Sequence, residues 1–566
     1  GVPAVEAVFE VLNALANSNL PGAAEEAEAL LNSIEARYGQ LDGHCYGAVI
    51  TAFAKAGKGE HSESILRRLQ DLFHETRDER VKPSIVHFNS VIHGYCRQGN
   101  IPRAVAILRD IQHNLNDVHP DTISFNTILS ALASGNDPSA AQKVESFLQE
   151  MQQLYINGDK FVKPDVVSFS SVINLLSKSV DIHAPHRAEQ VLRRMQKEYE
   201  KGNKSVKPNA YSFSAAINAW SKSGAPKAAH RAEMLLRWMQ ELHNAGDEEL
   251  KANTVVYASV IAAWSKSRSP KACQKAESLL REMQQKYEAG DNNLKPNTVA
   301  FTAVIHAFAN SRQVYAAEKA EAILFEMQSL YEKGNTDVKP NTVSYNSVIS
   351  AHAKSRDPNA GKHALLHLEH MKKLQAKGDK DCGPSVVTYN TVISALTASK
   401  SEDAIEKAYD LLREAHESAD MGNPNVQPNT RTYSTLLKAI ALSQLPDKAR
   451  RASNLLQEMQ QRSIQPTIFV LDEVLHCCSF VSDEEGDRLA AFEVAKETLD
   501  LIHSARNIES RPTTYVSYFR ACRNAQSEDE LRDAIKVGLQ RCLQDGLEQN
   551  QQIIQVLTEM DSKEMS

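Results

Sequence analysis

The sequence predicts an all-α fold, an α-solenoid of helix-turn-helix repeats, because two residue types recur at a fixed step and no break in composition interrupts them. A fixed period of this length indicates a repeat array, in which each repeat buries its apolar face only against its neighbours. We therefore expect one continuous array with a long concave surface rather than several compact domains. The periodic positions are seven glycines 44 residues apart (Gly158, Gly202, Gly246, Gly290, Gly334, Gly378, Gly422) and six prolines that keep this step with one position skipped (Pro164, Pro208, Pro296, Pro340, Pro384, Pro428).

Residues 298–341 show how one repeat is built. They contain two apolar stripes with helical spacing, the second longer than the first. Gly334 supplies the left-handed residue that ends the second helix, and Pro340 prevents its continuation. Each repeat is therefore predicted to be helix, turn, helix, turn. The first stripe is Phe301, Val304, Ile305 and Phe308, and the second contains Ala322, Leu324, Phe325 and Met327.

The first helix of each repeat also has a small polar face that ends in a cation. In one repeat this face holds Val167, Ser170, Asn174 and Lys178, whose spacings of 3, 4 and 4 place them on one side of a helix. The second helices instead carry mostly Glu, Lys, Arg and Gln on their exposed side. We therefore expect the first helices to line the concave surface. The same face recurs as Tyr211, Ser214, Asn218 and Lys222 and as Val343, Asn346, Ser350 and Lys354.

The segments VVSFSSVINLLSKS, VVTYNTVISALTAS and TVSYNSVISAHAKS resemble the first-helix consensus of the pentatricopeptide repeat family, and VKPD and LKPN resemble its closing turn. The resemblance runs from about Val5 to about Thr513. It implies a right-handed superhelix of about twelve helix-turn-helix repeats. We expect a degenerate repeat or cap in residues 1–42, the array in 43–513, and a helical cap in 514–566. The central repeats have 44 residues rather than the thirty-five of the family name, which leaves the superhelical pitch and the base register open.

The resemblance further implies binding of single-stranded RNA, with one base read per repeat by two or three side chains. In the family, the base is read by the residue after the first-helix aromatic and by the last residue of the repeat. By the family's rules, the resulting pairs imply the target 5'-UUAANACY-3', where N marks the repeat in which Ala258 offers no hydrogen bond. The pairs are Asn89 with Asp121, Asn126 with Asp165, Ser170 with Asn209, Ser214 with Asn253, Ala258 with Asn297, Thr302 with Asn341, Asn346 with Ser385, and Asn390 with Asn429.

Two further sets of residues share this face. Apolar side chains at the matching positions are expected to fill the gaps between unstacked bases. Cations further along each helix are expected to neutralise phosphates. The base-wedging residues are Val86, Ile123, Val167, Tyr211, Val255, Val299, Val343 and Val387. The phosphate-contacting residues are Lys55, Arg97, Lys178, Lys222, Lys266 and Lys354.

Each of these positions also has a structural explanation. Asp and Asn before a helix are favoured N-caps without any ligand, and a lysine at a helix end is favoured by the helix dipole.

His363, His367 and His370 have the spacing of a metal site, but His367 aligns with Leu279 and Ile323 of other repeats. We therefore assign it to packing and predict no metal centre.

Composition narrows the function classes. The chain has 64 Lys and Arg against 71 Asp and Glu, which gives a net charge of -7. It therefore lacks the overall basic charge that is expected of many nucleic-acid-binding proteins. The eight cysteines include no CxxC pair, and no apolar run approaches a membrane span. Phosphate-binding loops and HExxH are missing, which predicts no enzyme, cofactor or small-molecule substrate.

The leading hypothesis is an organellar RNA-binding protein, mitochondrial or alternatively plastid, that acts in RNA processing, stability or translation. The organellar compartment is what the resemblance to the pentatricopeptide repeat family implies. Single-stranded RNA is the expected partner, together with other ribonucleoprotein components, and no membrane is expected. Two alternatives stay open: a structural subunit of an organellar ribonucleoprotein such as the mitoribosome, and a protein-interaction scaffold similar to tetratricopeptide arrays.

Overall fold

The computed structural model describes residues 5–18, 20–114, 118–135, 140–311, 313–355, 357–398, 402–479, 481, 485–505 and 508–564. Within these residues the regular elements are all helices. Thirteen successive helix pairs are followed by one last helix, which confirms the all-α repeat architecture and adds one pair to the expected twelve. None of these helices is long and apolar enough to cross a membrane.

The chain divides into two compact units. The first comprises residues 1–267 with 292–294, and the second comprises 268–291 with 295–566. In the first unit the helices are α1 (Val5–Asn17), α2 (Ala23–Tyr38), α3 (Gly43–Lys55), α4 (Gly59–Thr76), α5 (Ile85–Gln98), α6 (Ile101–Asn114), α7 (Thr122–Ser134), α8 (Ala140–Ile156), α9 (Val166–Lys178), α10 (Ala184–Glu200), α11 (Ala210–Ser223), α12 (Ala228–Asn244) and α13 (Thr254–Ser265). In the second unit they are α14 (Ala272–Glu288), α15 (Thr298–Asn310), α16 (Ala316–Glu332), α17 (Thr342–Lys354), α18 (Ala360–Ala376), α19 (Val386–Thr397), α20 (Glu402–Asp420), α21 (Thr430–Leu442), α22 (Lys448–Gln461), α23 (Ile468–Ser479), α24 (Glu485–Ser504), α25 (Pro512–Cys522), α26 (Glu528–Gln544) and α27 (Gln551–Glu564).

The first helices of successive repeats pack side by side in each unit. In the first unit α3, α5, α7, α9, α11 and α13 form one layer, and in the second unit α15, α17, α19, α21, α23 and α25 form another. Where both helices lie in one unit, each second helix up to α24 packs against the first helix of its own repeat and against the first helix of the next repeat. This stacking is that of an α-solenoid, in which each repeat buries its apolar stripe against its neighbours.

The apolar stripes form the core, with one correction. The first-helix stripe that begins at Phe301 is buried as predicted. In the second helix Leu324 and Met327 are buried, but Ala322 and Phe325 are exposed, Phe325 by 61%. The prediction for these two was wrong because they lie out of phase with Leu324 and Met327 at 100° per residue. The buried stripe runs instead through Ala320, Ile323, Leu324 and Met327, which have i, i+3, i+4, i+7 spacing.

Each of the seven periodic glycines lies just after a second helix and has a left-handed backbone conformation, as predicted. Their φ angles run from 93° at Gly378 to 108° at Gly246. At Gly334 the backbone amide donates to the carbonyl of Tyr331 at 2.9 Å, and the next amide donates to Leu330 at 3.0 Å. These bonds satisfy carbonyls that the helix end leaves free, and glycine adopts the required angle without steric cost.

The extra length of the central repeats lies outside the first helices. First helices in this region have 12 to 14 residues, whereas α10, α12, α14, α16 and α18 each have 17. Single 3₁₀ turns then precede several of the following first helices, and each inserts one buried aliphatic side chain. The first helices of the central repeats are therefore not lengthened. The buried side chains of these turns are Val206, Leu250, Leu294, Val338 and Val426.

Candidate nucleic-acid interface

The last residue of each repeat caps the first helix of the next one. Asp165 accepts from the Ser168 amide at 2.9 Å, and Asn341 accepts from the Ser344 amide at 3.0 Å. One oxygen of each side chain is thus used by the backbone, which is the role favoured for Asp and Asn at this position. The eight capping residues are Asp121, Asp165, Asn209, Asn253, Asn297, Asn341, Ser385 and Asn429.

In two of the predicted base-reading pairs, the two side chains are hydrogen-bonded to each other. The Asn89 amide donates to Asp121 Oδ1 at 3.1 Å, and the Asn126 amide donates to Asp165 Oδ1 at 3.0 Å. The hydroxyls of Ser124 and Ser168 donate to the amide oxygens of Asn89 and Asn126, at 2.6 and 2.7 Å. Each Asn–Asp pair is therefore held in one orientation, with the second carboxylate oxygen and the second amide hydrogen left over.

The base-reading positions on the first helices are less accessible than the sequence suggested. Ser170 and Asn390 are each only 7% exposed, and Ala258 is 6% exposed. Four of these side chains bury a polar atom that has no hydrogen-bond partner, which is uncommon in folded proteins. The atoms are Ser170 Oγ, Thr302 Oγ1, Asn346 Oδ1 and Asn390 Oδ1.

All eight predicted wedge residues are exposed apolar side chains. They occupy the second position of their helices, and their exposed fractions run from 45% at Val167 to 65% at Val86. Phe469, at the second position of α23, continues the series with 60% exposure. The Arg511 guanidinium lies 4.7 Å from the centre of its ring. Sequence reasoning missed Phe469, although its place after the preceding turn and before an apolar helix could have identified it.

All six predicted phosphate-contacting residues are exposed, and none of them forms an ion pair with a carboxylate in the described part of the chain. Several bond to the end of the preceding first helix instead. Lys178 Nζ donates to the Ala133 carbonyl at 3.3 Å, and Lys266 Nζ donates to the Ser221 carbonyl at 3.1 Å. Lys354 Nζ donates to Asn310 Oδ1 at 2.9 Å, and desolvation lowers the pKa of its ammonium. An ammonium has three donors, so each lysine keeps capacity for a further acceptor.

Carboxylates are excluded from the central first helices. The ten first helices from α3 to α21 contain no Asp or Glu. On the second helices, by contrast, acids and bases pair between repeats, as in Arg231 with Glu189 at 3.3 Å and Arg281 with Glu326 at 2.6 Å. The first helices that contain a Lys or Arg therefore carry no carboxylate of their own to neutralise it, although the net charge of the chain is -7.

The histidines are arranged differently from their sequence spacing. His370 Nδ1 lies 3.1 Å from the Tyr345 hydroxyl. His367 instead lies beside Glu321 and His352, and ligand atoms of these three residues lie within 4.8 Å of one another. The sequence predicted no metal centre, and this set of residues was not identified from it. Trp220 and Trp264 are buried, with 8% and 0% exposure.

These features define a class of protein: a helical-repeat array whose successive first helices repeat a capping residue and an exposed apolar residue at fixed positions, with a cation at the end of several of them. Three sequence models of the pentatricopeptide repeat match this chain. The PPR repeat family matches residues 83–134 and 384–441, the pentatricopeptide repeat domain matches 278–355, 329–398 and 418–479, and the PPR repeat matches 44–72. Together these segments cover half of the chain. The chain belongs to the pentatricopeptide repeat family.

Solved structures show weaker likeness. The crystal structure of the pentatricopeptide repeat protein PPR10 from maize is 18% identical over 98% of this chain and 68% of that chain, with a TM-score of 0.47. PPR10 in complex with an 18-nt psaJ RNA element is 16% identical over 99% and 85%, with a TM-score of 0.37. Yeast Tom70 is 10% identical over 90% and 99%, with a TM-score of 0.28. No curated protein sequence matches significantly.

Proposed function

We propose that this chain is a non-catalytic protein that binds single-stranded RNA with one base per repeat. The observation that carries the proposal is the exposed apolar side chain at the second position of eight successive first helices, from Val86 to Val387. Isolated exposed apolar residues need no explanation, but a regular series on helices without carboxylates indicates a binding surface. We further propose that it acts in an organelle, the mitochondrion or alternatively a plastid, in RNA processing, stability or translation.

The wedge residues explain how a base is held. A base that enters between Val343 and Val387, for example, contacts an aliphatic side chain on each of its two faces. Its edge then meets the interface between α17 and α19, where Asn346 and Ser385 lie. The unpartnered Asn346 Oδ1 gives this interface a polar atom that lacks a bond without RNA. Unstacked bases are recognised by such contacts to both their faces and their hydrogen-bonding edges.

The cations explain how the RNA backbone is held. Five of the six exposed cations without carboxylate partners lie on first helices, one to a helix, and Lys266 directly follows the end of α13. Single-stranded nucleic acid releases counterions on binding with a slope of roughly -0.7 per phosphate contact, so six contacts give a slope of about -4 in log affinity against log salt. Affinity is then expected to fall about 300-fold between roughly 50 and 200 mM salt.

The test is direct binding of RNA to the purified chain. Fluorescence anisotropy is measured with labelled 5'-UUAAUACU-3', in which U fills the N and Y positions, and with 5'-AUCUAUAU-3', which has the same composition in another order. Both are titrated across a salt series. We expect tighter binding of the first RNA and a salt slope of about -4.

Equal and salt-sensitive binding of both RNAs would contradict base recognition and leave recognition of the backbone. Failure to bind either RNA would overturn the proposal and favour a scaffold that contacts proteins. A variant in which Val299, Val343 and Val387 are all changed to Ser tests the wedge contacts. It removes exposed side chains only, so the fold should be unchanged while RNA affinity falls at least about 10-fold.

A further inference from the structure

A glutamate on the second helix of a repeat makes a recurring contact with the next repeat in the first unit. Glu189 accepts a hydrogen bond from the indole of Trp220 at 3.0 Å, and Glu233 accepts one from the indole of Trp264 at 3.0 Å. Arg231 also contacts Glu189, at 3.3 Å. In this arrangement the buried carboxylate has an indole donor on one side and a guanidinium on the other, so its negative charge is compensated.

At Glu321 the partners of the glutamate are replaced by histidines. Counting by the 44-residue step, Glu321 is the counterpart of Glu189 and Glu233. His352 stands where those repeats have Trp, His363 stands where they have Arg or Lys, and His367 stands where they have Leu or Ile. Three different residue types have thus become histidine around one carboxylate. Packing alone explains an aromatic or aliphatic side chain at these positions, and it gives no reason for imidazole.

The imidazoles are buried and their nitrogens lack partners. His352 is 2% exposed and His367 is 8% exposed. Neither nitrogen of His352 makes a hydrogen bond, and neither does Nε2 of His367. Such unsatisfied buried polar groups are costly, and in native proteins they point to a missing ion, water or ligand. A buried imidazole nitrogen without a hydrogen bond can coordinate a metal ion, and histidine is the commonest metal ligand among side chains.

Two distances, each to a different oxygen of Glu321, match the edges of a tetrahedral metal site, and one ligand atom from each of the three residues lies within 4.8 Å of the others. His352 Nε2 lies 3.6 Å from Glu321 Oε2, and His367 Nε2 lies 3.3 Å from Glu321 Oε1. Zinc binds imidazole nitrogen and carboxylate oxygen at about 2.0 to 2.2 Å, so two ligands of a tetrahedral site lie about 3.3 to 3.6 Å apart. The three side chains come from α16, α17 and α18, and a cleft lined by Glu321, His352 and His363 opens the site to solvent.

We propose that Glu321, His352 and His367 bind one Zn²⁺ ion, with water from the cleft in the fourth position. The ion links the second helix of one repeat to both helices of the next. Two imidazoles and one carboxylate, with water in the fourth position, form one of the ligand sets that hold zinc in a tetrahedral site. The His363 ring, stacked on His352 with centroids 4.7 Å apart, fixes the orientation of that ligand. The proposal is independent of RNA binding.

The test is a zinc titration of the full chain after removal of metal with a chelator. Competition with a chromophoric zinc indicator gives the stoichiometry and the affinity. We expect one tight equivalent of Zn²⁺ and a rise in the unfolding temperature when it is bound. His352→Trp and His367→Ile should each weaken binding at least about 100-fold, because loss of a direct ligand costs at least as much as loss of its supporting contacts.

These two substitutions introduce residues that other repeats have at the same positions, so circular dichroism should show an intact fold. Glu321→Gln provides a third variant with the same side-chain shape and should also lose tight binding. His370→Gln is the matched control and should keep it. The proposal is overturned if the wild-type chain binds no stoichiometric Zn²⁺, or if the His352, His367 and Glu321 variants bind it as tightly as the control.

Discussion

Exchange of one base-reading pair for another tests the base-reading assignment most directly. Asn126→Ser together with Asp165→Asn gives the second base-reading repeat the pair that the third one has in Ser170 and Asn209. Under the family's rules the preferred base at the second RNA position then changes from U to A. Asn replaces Asp as the cap without loss, because Asn209 already accepts from the Ser212 amide at 3.0 Å.

The magnitudes follow from the contacts of the pair. The exchange removes the bond from Asn126 to Asp165 and the bond from the Ser168 hydroxyl to Asn126, at 3.0 and 2.7 Å. Each is worth about 1 kcal/mol, so the free energy of unfolding should fall by about 1 to 2 kcal/mol. Discrimination by one well-placed pair is about 1 to 3 kcal/mol, or roughly 5- to 150-fold in affinity.

The assay is competition between 5'-UUAAUACU-3' and 5'-UAAAUACU-3' for the wild-type and exchanged chains, measured by fluorescence anisotropy. The wild type should prefer the first RNA and the exchanged chain the second. The matched control is Asn157→Ser with Asp159→Asn, which makes the same chemical changes in the turn before α9 and should leave the ranking unchanged. An exchanged chain that folds, binds RNA and still prefers U at the second position would refute the reasoning.

Three further predictions concern charge, backbone and pH. Lys222→Ala should reduce the salt slope of RNA binding by about 0.7, whereas the exposed Lys197 on α10 should be replaceable by Ala with no change in slope. Gly334→Ala should lower the free energy of unfolding by about 1 to 2 kcal/mol in urea titrations. An added Cβ meets no atom within 4 Å there, so the cost comes from the left-handed backbone, and an unchanged midpoint would contradict this cause. Burial raises the pKa of Glu63, but its hydrogen bonds outweigh this, chiefly the one from Arg103, and bring the pKa to about 2. The contribution of the ionised Glu63 to the free energy of unfolding is thus complete above the unfolded pKa of 4.5 and is lost as the pH falls towards 2. After allowance for solvent screening, we expect Glu63→Gln to lower the free energy of unfolding by about 1 to 2 kcal/mol at pH 7. A loss that stays constant down to pH 2 would contradict this assignment.

Much of the candidate site could be predicted from the sequence because its parts are local. The position of a wedge residue such as Val343 follows from where its helix begins, and exposure follows from helical phase. The same holds for Asn341, which caps that helix. The error at Phe325 has the opposite origin, since a hydrophobic residue in a longer helix was placed in the stripe by composition although its phase points outward.

The sequence alone determined the 44-residue period, the helix pairs, the left-handed glycines and the regular series of capping, exposed apolar and cationic residues, because each depends on residues within one or two turns of helix. Only the tertiary structure decided which side chains of different repeats meet. It bonded Asn126 to Asp165 and buried the Ser170 hydroxyl between helices. It also brought His352 and His367 to Glu321. These contacts join residues about 30 to 46 positions apart, and their geometry depends on how one repeat stacks on the next, a packing property that no single helix encodes.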